Sequence, residues 1–309
     1  MTPPIASAFE RAKLSLEGLA LGDAFGDRFF AHEAIVANMV AARAMPMAPW
    51  RWTDDTEMAL SVVSVLRRHG DIDRDALASS FAERYDRSRK YGASMHGLLA
   101  SIRAGKSWQD EAGALFSGQG SFGNGAAMRV APVGAYFADD LDVVVTQARR
   151  AAEVTHAHPE AIAGAIAIAV ATALAWRERG RDTPRFLDLV LPYIPDSEVH
   201  DGIRRARDLA PGASVRLAVA ALGNGTRISA PDTVPFALWC AAQHLDDYQE
   251  ALWLTVEGLG DRDTTCAMVG GIVALRVDRE GLPGDWLRDR EPLPDWPFED
   301  QGSSETITL

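Results

Sequence analysis

Residues Trp52-Thr53-Asp54-Asp55-Thr56 and Gly260-Asp261-Arg262-Asp263-Thr264 each crowd two carboxylates and flanking hydroxyls into five positions. Oxygen-only ligand sets of this kind suit hard divalent cations such as Mg²⁺. Two of them meeting in space could hold a pair of ions, an arrangement common in hydrolytic sites.

A simpler reading competes. Each cluster opens an apolar helical segment, and Asp or Thr at that place satisfies the free N–H groups of a helix start. A cap needs one side chain, however, and here three adjacent oxygen-bearing side chains are present at 53–55, with a second acidic cluster at 261–264. A helix N-terminus repels a cation through its dipole, so a metal there demands several carboxylates. Asp54, Asp55, Asp261 and Asp263 supply four. Gly258 and Gly260 permit a sharp turn before the second cluster, and the small residues from Cys266 to Ala274 permit close packing behind it.

Two further segments could do chemistry. Gln119-Gly120-Ser121-Phe122-Gly123-Asn124-Gly125-Ala126-Ala127-Met128-Arg129 combines glycines with a helix start, which suits close backbone approach to a diphosphate. A Gly-rich turn is the plain alternative, and Arg129 reads equally as a phosphate partner or a structural ion-pair donor. Thr155-His156-Ala157-His158-Pro159 holds an HxH pair, but no cysteine or third histidine lies at a zinc-like spacing. A helix-start histidine bonding a ligand or a backbone carbonyl fits better.

The elements that must position these residues are helical. Alternating strand patterns are almost absent, and helical periodicity recurs near 8–27, 54–69, 73–88, 95–104, 108–116, 125–134, 140–154, 159–177, 184–190, 196–208, 213–221, 233–244, 248–257 and 264–277. Asp54 with Glu57 reads as a capping box, Asp73 and Asp196 as N-caps, and Pro159 as a first-turn residue. No Gly/Pro stretch is long enough for an interdomain linker, so residues 1–309 read as one domain. The Pro-rich tail 281–309 is expected at its periphery.

At 47% hydrophobic residues the chain can bury a sizeable core, and its net charge of −12 argues against a partner bound through nucleic-acid phosphates. A modified nucleic acid as a local acceptor stays open. Cys240 and Cys266 form no CxxC pair and read as buried thiols. The apolar run 161–176 is short for a membrane span. These features predict a cytoplasmic protein with no membrane partner.

Five segments in order resemble the ADP-ribosylglycohydrolase family: Gly18-Leu19-Ala20-Leu21-Gly22-Asp23-Ala24-Phe25-Gly26, Trp52-Thr53-Asp54-Asp55-Thr56, Gly123-Asn124-Gly125-Ala126-Ala127-Met128-Arg129, Thr155-His156, and Gly260-Asp261-Arg262-Asp263-Thr264. The resemblance implies an all-α fold, a single compact orthogonal helical bundle with two Mg²⁺ (Mn²⁺ in some members) at the floor of a cleft. The metal ligands would be Thr53, Asp54, Asp55, Asp261, Asp263 and Thr264. Gln119, Gly120, Ser121, Phe122, Gly123, Asn124 and Gly125 would cradle the diphosphate and distal ribose, with His156 also touching ADP-ribose. The expected reaction cleaves the bond between C1 of the distal ribose and an acceptor, releasing ADP-ribose from a protein or other acceptor. Asp55 or Asp263 would carry the proton.

The chain departs from that family at two places. Many members carry a glutamate where Phe30 stands; either Asp27 or Glu33 supplies a carboxylate from a shifted position, or none is used. Arginine-specific members carry an aspartate where Ser121 stands, an acid suited to the substrate guanidinium; its absence speaks against an arginine linkage and leaves the acceptor open between arginine and another kind. The competing expectation is an ADP-ribose-binding module of the same fold with little or no turnover. A terpene synthase DDxxD motif does not fit, since Asp54-Asp55-Thr56-Glu57-Met58 lacks the final acid.

Overall fold

Helical periodicity governs the chain: among the described residues there is no β-strand, and seventeen α-helices form. The structure, a computed structural model, describes residues 7–181, 183 and 185–299. The helices are α1 (Ala8–Gly26), α2 (Glu33–Ala42), α3 (Asp54–His69), α4 (Arg74–Arg84), α5 (Ala93–Arg103), α6 (Trp108–Gly118), α7 (Gly125–Met128), α8 (Ala131–Tyr136), α9 (Leu141–Glu153), α10 (Pro159–Arg177), α11 (Phe186–Val190), α12 (Glu198–Asp208), α13 (Val215–Leu222), α14 (Ala230–Gln243), α15 (Tyr248–Glu257), α16 (Arg262–Val277) and α17 (Gly284–Asp289). The fold is all-α.

The contact that fixes the site lies between α1 and α16. Gly18, Gly22 and Gly26 form one ridge of α1 at i, i+4 spacing, and they face Gly270, Cys266 and Arg262 of α16 in reverse order. The helices are therefore antiparallel. A Cβ at Gly22 would lie 2.1 Å from the Cys266 carbonyl oxygen, and one at Gly26 would lie 2.2 Å from that of Arg262. Only glycine allows this approach, which brings the last turn of α1 beside the first turn of α16. The small residues after Asp263 have the packing role their size predicts.

Helix α10 crosses the interior with residues 161–175 wholly buried, and α7, α8, α9, α14 and α16 pack around it. Its length and apolarity match a membrane span, but its side chains find protein neighbours instead.

Several expected boundaries shift for physical reasons. The segment expected as one helix over 125–134 is two, α7 and α8, broken at Arg129 and Val130. Helix α3 is capped by Thr53, whose hydroxyl accepts from Asp55 N–H. The capping box expected of Asp54 and Glu57 does not form: the Glu57 carboxylate accepts from the Tyr91 hydroxyl (2.6 Å) and Asp86 N–H (3.0 Å). Ser197, not Asp196, caps α12, while Asp73 does cap α4. Helix α2 has one buried residue, Val36, and so lacks the apolar stripe that periodicity detects.

The segment after Gly281 is more than a surface strap. Trp286 stacks on Phe25 with ring centroids 4.3 Å apart, within an aromatic group that includes Trp50 and Trp253. The backbone of Trp50 bonds to Asp289 and Glu291, and the Glu291 carboxylate takes both terminal nitrogens of Arg89. Residues 300–309 of the expected tail lie outside the described residues.

Candidate active site

The two acidic clusters converge. Helix α3 delivers Asp54 and Asp55 in its first turn, and α16 delivers Asp263 there with Asp261 as N-cap. Thr264 Oγ1 stands 3.5 Å from Asp55 Oδ2, across a sequence separation of 209 residues. Asp54, Asp261, Asp263 and Thr264 line one cleft of about 490 Å³ together with Ser121, Phe122, Gly123, Asn124, Gly125 and His156. Thr53 and Asp55 lie buried just behind that wall. Gln119 and Gly120 stand outside the lining: Gln119 is exposed, and Gly120 packs against the backbone of Ala157 and His158.

A residue the sequence reading left without a role holds the first cluster in place. Asp23, fully buried near the end of α1, accepts from Thr53 N–H (2.8 Å), Thr53 Oγ1 (2.9 Å), Thr56 N–H (3.2 Å) and Thr56 Oγ1 (2.5 Å). Its signal in the sequence is an acid stranded in an apolar glycine-striped helix, a placement that demands partners. The loop Gly223-Asn224-Gly225 braces the second cluster. Its Asn224 carbonyl accepts from Asp261 N–H (3.1 Å), while its side chain donates to the Gly258 carbonyl (2.8 Å). Asn124 secures the second cluster from the other side, donating to Asp261 Oδ2 (2.7 Å) and Thr233 Oγ1 (3.1 Å).

The electrostatics are those of uncompensated negative charge. Burial, opposed by the threonine hydrogen bonds, pushes Asp23 up to about 6. Burial first, and then the charge of Asp23, pushes Asp54 up to about 8. Asp55 and Asp263 are driven well above the carboxylate range by burial and neighbouring acids, and Asp261 is raised by burial.

This donor set fits divalent cations. Asp55 Oδ1 is buried with no hydrogen-bond partner. Thr53 Oγ1 sits 2.9 Å from carboxylate oxygens of both Asp23 and Asp55 but has one hydrogen to give. Four mutually repelling carboxylates and two hydroxyls are all-oxygen donors of the hard type. Among the described residues no three acid, histidine or cysteine side chains already close on one point.

The two candidate replacements for the missing glutamate are engaged elsewhere. Asp27 is ion-paired with Lys90, and Glu33 lines a separate groove with Val36, Val40 and Val215. Lys90 itself lines the cleft, and both Lys90 and Arg262 lie over the Phe30 ring, at 5.7 and 5.2 Å. Arg129 is neither of the things its sequence allowed. It is fully buried, with no place in the cleft lining and, among the described residues, no carboxylate hydrogen bond.

The model of the ADP-ribosylglycohydrolase family matches residues 4–301. The chain belongs to the ADP-ribosylglycohydrolase family. It is 28% identical to human ADP-ribosylhydrolase ARH3, covering 93% of this chain and 90% of that protein. It is 31% identical to an uncharacterized protein of Archaeoglobus fulgidus, covering 92% and 93%. An ADP-ribosylarginine hydrolase, Tri1 of Pseudomonas putida, is 24% identical over 91% of this chain and 74% of its own length. A solved structure described as an ADP-ribosylglycohydrolase-related protein complex shares the fold, with a TM-score of 0.65, 24% identity and coverage of 93% and 94%. The family is one of glycohydrolases, and the named relatives are ADP-ribosyl hydrolases.

Proposed function

We propose that this ADP-ribosylglycohydrolase is a metal-dependent hydrolase that cleaves the bond between C1 of the distal ribose and an acceptor atom, releasing ADP-ribose. The observation that carries the reading is the convergence of Asp54, Asp55, Asp261 and Asp263 beside the glycine loop and His156.

Thr53, Asp54, Asp55, Asp261, Asp263 and Thr264 would hold two Mg²⁺ or Mn²⁺ ions. Such ions supply Lewis acidity and a fixed anchor for ribose hydroxyls. The remaining work belongs to the chain. Cleavage builds oxocarbenium character at the anomeric carbon, and the carboxylates beneath it favour that positive charge. Asp55 or Asp263 takes the proton of the attacking water and returns it to the departing acceptor atom. Backbone N–H groups of the loop through Gly125 receive the diphosphate, and the exposed rings of Phe116 and Phe122 offer a face to the adenine.

The acceptor is the open choice between arginine and another linkage, with an ADP-ribosylated protein as the expected carrier. Ser121 places no acid where a guanidinium would need one, which favours a linkage other than arginine. Both cysteines are free and buried, as suits an enzyme of the reducing cytoplasm.

The test is release of ADP-ribose from arginine-linked and serine-linked substrates, with Mg²⁺ or with EDTA, alongside Asp55→Asn. Metal-dependent release that disappears in the variant is expected. No release from either substrate by a protein that still binds ADP-ribose sinks the hydrolase reading and leaves a binding module.

A further inference from the structure

Arg129 is a cation with none of its surface exposed. Its partners are neutral: the Met58 sulfur (3.2 Å), the Ala151 carbonyl (3.2 Å) and the Thr155 hydroxyl (2.7 Å), with the guanidinium 4.4 Å from the centre of the Phe81 ring. An arginine can only donate, so Thr155 Oγ1 is the acceptor in that bond.

The consequence passes to the next residue. Thr155 Oγ1 also lies 2.7 Å from His156 Nδ1. The hydroxyl is wholly buried, and an unprotonated His156 Nδ1 is placed to accept its one hydrogen. If Nδ1 carried a proton instead, two donors would point at Thr155 and its own hydrogen would be buried with nowhere to go, a costly arrangement.

We infer that Arg129 and Thr155 are positioning residues that lock His156 as its Nε2–H tautomer, so that the ring presents one fixed donor to an oxygen of the ADP-ribosyl group. The identity of that oxygen's owner rests on the proposed function; the tautomer does not. Burial, aided by the charge of Arg129, pushes His156 down to about 3, so the ring is neutral and has a single N–H to place. Glycine backbone makes room for it: a Cβ at Gly123 would lie 3.3 Å from Nε2 and one at Gly125 would lie 3.0 Å from it. Nε2 thus opens into the cleft between two positions where any side chain would crowd it.

Imidazole ¹⁵N NMR of the ligand-free protein reads the tautomer directly, with His156→Gln to assign the signal. Wild type is expected as Nε2–H at neutral pH. Thr155→Val should populate Nδ1–H and weaken ADP-ribose binding roughly 3- to 10-fold, the worth of one neutral hydrogen bond. Thr155→Ser should restore both. An Nδ1–H signal in wild type, or a tautomer unchanged in Thr155→Val, overturns the inference. Failure of wild type to bind ADP-ribose strikes the functional reading alone, because the tautomer is measured without ligand.

Discussion

The backbone N–H and the hydroxyl of Thr53 both end on the Asp23 carboxylate, at 2.8 and 2.9 Å on its two oxygens. With the matching pair from Thr56, four donors of α3 depend on one buried acid of α1. Asp23→Ala strands these donors at about 1–3 kcal/mol for each one left unsatisfied. Chemical denaturation should show a loss of roughly 3 kcal/mol or more, whereas Asp23→Asn, which keeps an acceptor oxygen, should lose much less. An alanine variant as stable as wild type would show that the anchor has no energetic weight.

Gly22→Ala tests the contact behind the site. The added methyl meets the Cys266 backbone at 2.1 Å, so the two helices must part. Overpacking of this kind costs about 1–3 kcal/mol. The melting temperature should fall, and turnover should fall with it because Asp23 moves; an unchanged melting temperature would contradict the tight packing.

Asn124 offers a test of the second cluster. Removing its bond to Asp261 in Asn124→Ala forfeits a charge-assisted hydrogen bond worth about 1.5–3 kcal/mol, or roughly 10- to 100-fold in kcat/KM. Asn124→Asp, which sets a fifth acid against Asp261, should be worse still. Steady-state kinetics on protein shown to be folded by circular dichroism decides the order.

Much of this was legible in the sequence, and the reason differs by element. Helices α1, α3, α10 and α16 have long runs whose caps, glycines or apolarity mark them, so their limits fall within two residues of expectation. Helix α2 was illegible because one buried valine makes no stripe, and α17 because prolines surround six residues. At the site, the acids announced themselves by crowding. Asp23, Asn224 and Lys90 did not, since each acquires its role from a partner at least 30 residues away, such as Thr53, Asp261 or Asp27.

The raised acids set a pH dependence. Asp23 and Asp54 ordinarily titrate at 3.8 but hold their protons to about 6 and about 8 in the folded state. Between 3.8 and about 8 the folded protein therefore binds protons that the unfolded chain has released, and stability falls as pH rises. Glu291 and Asp86, held low by Arg89 and by Ser88, act oppositely, but only below the ordinary carboxylate range. In EDTA the melting temperature should drop across that window, and less steeply in Asp54→Asn. Saturating Mg²⁺ should flatten the slope, because a bound cation replaces the proton. A slope equal in wild type and variant would exclude Asp54 as its source.

The antiparallel glycine contact of α1 with α16 has a consequence for synthesis. A nascent chain displays the apolar ridge at Gly18, Gly22 and Gly26 long before Cys266 and Gly270 exist to cover it. Until residues 261–270 have been made, Asp54 and Asp55 lack their opposite acids and the ridge lacks its cover. The two acidic clusters thus meet only once most of the chain has been made, and a chain cut before α16 retains half of the proposed site.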